Sequence, residues 1–144
     1  MNQRLVVALS GLCALAACEV FAPHDPALRL ETLETRIAVG QDAEVRFTNL
    51  SDGSLLYNAC YALLERLVQT EWRDMGAASG DVPCSDELRI LLPAESGVVA
   101  FPLPLDLALG TYRYRFTAFY DETEGLLPVA DRVTNRFSVV TGAY

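Results

Sequence analysis

Gly110-Thr111-Tyr112-Arg113-Tyr114-Arg115-Phe116-Thr117-Ala118-Phe119-Tyr120 is the stretch whose reading decides the fold. Tyr112, Tyr114, Phe116, Ala118 and Tyr120 occupy every second place, Arg113, Arg115 and Thr117 the places between, and only Phe119 breaks the rule. Successive side chains of a strand point to opposite faces. A period of two therefore describes a strand covered on one side and open on the other, as in antiparallel sheets.

The same period recurs upstream. Leu28 and Leu30 alternate with Arg29 and Glu31; Thr35, Ile37 and Val39 alternate with Arg36 and Ala38. Gly40-Gln41-Asp42 reads as a turn, after which Ala43, Val45 and Phe47 alternate with Glu44, Arg46 and Thr48. Asn49-Leu50-Ser51-Asp52-Gly53 is a strong turn signal, and Leu55 to Cys60 forms the next strand. Tyr61 to Met75 admits two readings. Ala62-Leu63-Leu64-Glu65-Arg66-Leu67 has high helix propensity, yet no N-cap residue stands before it. A hairpin turning at Val68-Gln69-Thr70-Glu71 into a strand with Trp72 is the preferred alternative. Gly76 to Ser85 is a polar loop. Leu88 to Leu92 is a strand stopped by Pro93, and Val98 to Leu103 another, with Pro102 marking an edge or an end. Beyond the loop Asp121 to Ala130, Val133, Phe137 and Val139 alternate with Arg132, Thr134, Arg136 and Ser138. About seven short strands at this spacing predict an all-β antiparallel sandwich.

The N-terminal end has a different character. Arg4 is the only charge before Cys18, and the 13 residues Leu5 to Ala17 are uncharged. A bilayer span needs about 20 apolar residues, so this run suits a signal peptide better than a transmembrane helix. It closes on Leu15-Ala16-Ala17-Cys18, which resembles the lipobox of bacterial lipoproteins. That resemblance implies cleavage before Cys18, lipid on its sulfur, and a signal peptide over residues 1–17. Residues 18–27, with Pro23 and Pro26, then form a lipidated tether, and residues 28–144 form the domain. It further implies location in the cell envelope. With Glu19 rather than Asp after the cysteine, it implies the periplasmic face of the outer membrane if the cell is Gram-negative. His24, the only histidine, falls in the tether as a solvated residue.

Removing the signal leaves 127 of the 144 residues, enough for one domain with a core. The full chain carries net charge −8 and the mature chain about −9, since only Arg4 is lost. This excess of acid argues against nucleic acid as a partner. Cys13 leaves with the signal, so Cys60 and Cys84 remain as an even pair in an oxidising compartment and read as one disulfide. Closing the loop between them is expected to stabilise the fold by roughly 3–4 kcal/mol.

The mature chain also resembles bacterial immunoglobulin-like domains carried on small lipoproteins. The likeness rests on Val39-Gly40-Gln41, Asn49-Leu50-Ser51, Cys60, Leu64-Glu65, Trp72, Cys84 and Leu109-Gly110-Thr111-Tyr112-Arg113, and covers about Leu28 to Val140. It implies an immunoglobulin-like sandwich with Tyr112 as a tyrosine corner, its hydroxyl on backbone. Two departures stand out. Cys60 and Cys84 are too close in sequence for an inter-sheet bridge, and no cysteine follows Tyr112 two positions on.

Residues for chemistry are few. The lone His24 leaves a Ser-His-Asp arrangement without a base. Asp121, Glu122, Glu124 and Asp131 cluster near one loop but lack calcium-loop spacing. No metal, cofactor or enzymatic activity is expected. Arg113, Arg115, Arg132 and Arg136 fall on the non-core side of two strands that a sandwich would pair. Acidic side chains of the adjacent strand, Glu65 or Asp74 for instance, then interleave with them, or they form a face for a carboxylate or phosphate on a partner. The expectation is a membrane-anchored, non-catalytic binding or structural module whose partner is an envelope protein or polymer. The alternative is an inhibitor of an exported protease acting through the loop Gly76–Ser85.

Overall fold

In the computed structural model, residues 25–79, 85 and 87–142 are described. They form nine strands: β1 (Leu28–Thr32), β2 (Arg36–Ala38), β3 (Asp42–Asn49), β4 (Leu55–Val68), β5 (Glu71–Ala77), β6 (Arg89–Leu91), β7 (Ser96–Pro102), β8 (Gly110–Tyr120) and β9 (Phe137–Val140). A single 3-10 turn, Val129–Arg132, precedes β9. One sheet has the order β1-β3-β7; the other runs β2-β9-β8-β4-β5, with β6 also on β4. This is the all-β, immunoglobulin-like sandwich: β1, β3 and β7 stand where strands A, B and E belong, and β4, β8 and β9 where C, F and G belong.

The strand count exceeds seven for two local reasons. The first strand is divided between the sheets, so β1 pairs with β3 while β2 pairs with β9, and that second pairing is parallel, not antiparallel. The segment 61–75 is also no separate unit. β4 continues through it and returns as β5 across Gln69-Thr70, with Val68 opposite Glu71. The hairpin reading holds. β5 extends to Ala77, so the loop after it is shorter than Gly76–Ser85. At the other end, Ala27 is already part of the body: its N–H donates to the Asp131 carboxylate at 2.9 Å, and its carbonyl accepts from Leu50 N–H.

The core lies between the sheets. Phe47 of β3 stacks on Tyr57 of β4 and meets Phe116 of β8 edge-on, at centroid distances of 4.7 and 4.8 Å. Phe101 of β7 covers Tyr114 and Phe116. All five rings are buried, and such pairs contribute about 0.5–1.5 kcal/mol each beyond their area. The position where antibody domains carry their second cysteine holds Tyr114, so aromatic packing replaces the covalent inter-sheet bridge.

Tyr112 closes the corner that the resemblance implied. Its hydroxyl donates to the Ala108 carbonyl, four residues upstream, at 2.5 Å. The Tyr114 hydroxyl, two residues on, is buried without a hydrogen-bond partner among the described residues. Burial, with Asp42 adding to it, pushes its pKa well above the ordinary tyrosine value. Opposite outcomes follow for one chemical change. Tyr112→Phe is expected to cost about 1 kcal/mol, the net worth of a hydrogen bond. Tyr114→Phe is expected to be neutral or stabilising, because it removes an unsatisfied buried group. Urea unfolding at pH 7 measures both. Burial also raises the Tyr112 pKa, against the pull of Arg66. The unfolded chain therefore ionises first as pH climbs past about 10, and wild-type stability falls there.

Candidate functional site

The outer face of the larger sheet holds most of the residues singled out above. β4 puts them there through a bulge. Asn58 faces Thr117 but Leu63 faces Arg115, so five steps along β4 match two along β8. The odd excess inverts the alternation of β4: Leu55 and Tyr57 point inward before the bulge, Ala62 and Leu64 after it. Glu65 is thereby turned to the outer face, opposite Arg113 on β8 and Asp74 on β5.

Glu65 is 5% exposed, and its two oxygens accept from Arg113 Nε and Arg115 Nε at 2.7 Å each. Arg115 also reaches Asp74 at 4.0 Å. The Arg113 guanidinium lies over the Trp72 ring at 4.2 Å and that of Arg136 at 5.5 Å. One carboxylate and one indole thus hold three guanidiniums that would otherwise repel. The interleaved arrangement is what the geometry has. Arg132 corrects the expectation. The chain before β9 is a 3-10 turn rather than strand, which tucks Arg132 inward, 8% exposed. Its guanidinium donates to the carbonyls of Leu127 and Phe116. Burial, with Arg115 nearby, lowers its pKa from the ordinary arginine value. Beside it, Arg115 bridges to Val133 and Phe119 to Leu126.

Two concavities flank this network. Where the bulge of β4 faces β7, a cleft of about 300 Å³ is lined by Asn58, Cys60, Ser79, Glu87, Arg89 and Phe101. Its lining offers a small polar group hydroxyls and one charge of each sign, not a nucleophile with a base and an orienting group. On the outer face, Leu56, Leu88, Phe119 and Glu124 line a groove of about 310 Å³. Here Ile90, Leu56, Phe119 and Leu126 are direct cross-strand neighbours in one row. The exception at Phe119 was the sequence signal for this row.

Cys18, His24 and Cys84 lie outside the described residues. Cys60 sits on the bulge with its Sγ 2.8 Å from the carbonyl oxygen of Ser85, the neighbour of Cys84. Asp131 separates from Asp121, Glu122 and Glu124: it is buried beneath Ala27 while they are exposed on the loop. Among the described residues, no three His, Cys, Asp or Glu side chains gather as metal ligands would.

No family model matches the chain, and no curated protein matches it in sequence. Solved structures do resemble it. A PapD-like domain of human CEP192 is 13% identical, with 96% of this chain and 100% of that one covered at a TM-score of 0.34. The sporulation control protein Spo0M from Bacillus subtilis is 14% identical over 83% of this chain and 51% of that one, TM-score 0.39. A Niemann-Pick type C2 protein from the Japanese carpenter ant is 10% identical over 80% and 89%, TM-score 0.38. At such scores the fold assignment rests on the strand order of the chain itself.

Proposed function

We propose that this chain is a lipid-anchored, non-catalytic module of the cell envelope, held to the membrane through Cys18 and presenting its sandwich to an envelope protein or polymer. The observation that carries the reading is Leu15-Ala16-Ala17-Cys18 at the end of an uncharged segment too short to span a bilayer. The fold supports it in one respect: Ala27, nine positions after Cys18, is already held by the body through Asp131. Two acyl chains or more hold a protein stably where one does so marginally. The envelope is oxidising, and we infer a Cys60–Cys84 bridge, supported by the closeness of Cys60 to Ser85.

On the arginine face, Glu65 engages Arg113 and Arg115, and Arg132 is buried. Arg136, exposed beside Trp72, is therefore the group we assign to a carboxylate or phosphate of a partner. The test of the anchor is metabolic labelling. Labelled palmitate is expected on the wild-type protein and not on Cys18→Ala, and the variant is expected to move from the membrane to the soluble fraction. An unlabelled wild type, or a variant that fractionates with membranes as before, overturns the reading.

A further inference from the structure

We propose that the end of the sandwich from which the tether leaves rests on the bilayer itself, so that lipid is a second ligand of this domain; the inference rests on the anchor at Cys18. Three loops meet beside Ala27 at that end: the β3–β4 turn, whose Leu50 N–H bonds Ala27; the β6–β7 turn, whose Ala94 N–H bonds the Asn49 carbonyl; and the segment after β8, whose Asp131 carboxylate binds Ala27 N–H. Each carries large apolar side chains in the open: Leu50 is 41% exposed, Leu92 56%, Leu126 51% and Val129 56%. Leu126 continues into the row of Phe119 and Ile90 on the outer sheet face.

The point at which the chain enters the body selects the occupant. Ala27 stands nine positions after Cys18, a reach of at most about 30 Å when fully extended. A lipidated sulfur at 18 sits in the membrane interface, so the loops around Ala27 are the part of the body that the tether keeps closest to it. Apolar side chains clustered on one surface mark an interaction site, and at a membrane such residues enter the headgroup and acyl boundary. Charge narrows the lipid class. Asp52, Asp121, Glu122 and Glu124 lie on the same loops, which fits a zwitterionic surface and not an anionic one. Exposed apolar residues exist at the opposite end too, chiefly Leu105 at 82%. They lie the full length of β3 away, about 25 Å.

The two ends can be read separately by fluorescence. The native chain has one tryptophan, Trp72, beside the β4–β5 hairpin at the far end. The full-length protein, lipidated in the producing cell, is reconstituted into phosphatidylcholine vesicles with brominated acyl chains. Added emission from Leu126→Trp, and separately from Val129→Trp, is expected to lose roughly half its intensity, given burial of about 5–10 Å into the boundary. Trp72 and Leu105→Trp are expected to keep theirs. Quenching at 105 but not at 126 or 129 overturns the proposal, as does quenching at none. Emission at 126 that shifts to the blue without quenching overturns it in favour of a second copy or another protein on this surface. Both tether-end positions are exposed, and thermal unfolding checks that each variant folds. Labelled palmitate on the same samples separates the two failures. Label without quenching removes the docked bilayer and leaves the anchor, whereas absence of label removes both.

Discussion

Phe116→Ala is expected to cost about 4 kcal/mol of stability, within the range for truncating a buried phenylalanine, and to lower Tm on the order of 15 °C. Phe116 is 1% exposed, and its ring touches Phe47 and Phe101 of the opposite sheet as well as Tyr114 of its own strand. Among the described residues no covalent bridge crosses the sheets at this level, so the contacts that join them here are ring against ring. Removing the central ring takes one partner from each of three others, and a cavity bounded by two sheets collapses poorly. The control is three residues along the same strand. Phe119→Ala makes the same chemical change on the outer face and is expected to cost less than about 1 kcal/mol. Denaturant unfolding of the two variants side by side measures the difference. Equal losses would mean that β8 does not have the inside and outside described here.

That strand was the most legible part of the sequence, because nothing interrupts its alternation between Gly110 and Phe119. β4 was the least legible. Its bulge inverts the alternation after Asn58, so a search for period two loses the strand midway and finds Ala62 to Leu67, whose residues favour helix. The hairpin that follows also lacks the usual signal. Gln69 adopts φ 58° without being glycine or asparagine, at a local cost of about 1–2 kcal/mol that tertiary pairing offsets. Arg132 was misplaced for a related reason: the alternation holds only over β9, Phe137 to Val140, whereas before it the chain turns in a 3-10 segment and then buries Thr134, expected outside, leaving Asn135 and Arg136 both exposed. Of the outer-face network, the arginines and Glu65 were readable as residues of one surface. Their arrangement around Trp72 was not, since it depends on the register between β4, β5 and β8.

Glu65 is where that register has its largest energetic consequence. Glu65→Ala is expected to cost about 2–3 kcal/mol. This lies below the 3–5 kcal/mol of a fully buried pair, because the side chains of Arg113 and Arg115 are 20% and 34% exposed and partly screened by solvent. The loss has two parts that can be told apart. One is the hydrogen bonds to the two Nε atoms; the other is repulsion among Arg113, Arg115 and Arg136 once the central carboxylate is gone. Added salt acts on the second alone, so Glu65→Ala is expected to recover stability between low and high ionic strength by more than Phe116→Ala does. Replacing Arg115 by Ser in the Glu65→Ala background is expected to restore about 1 kcal/mol, although in the wild type the same substitution is destabilising; the sign reversal is the coupling that a double-mutant cycle reads. Additive losses would show that the three arginines are held independently and that Glu65 is not the group that makes their crowding tolerable.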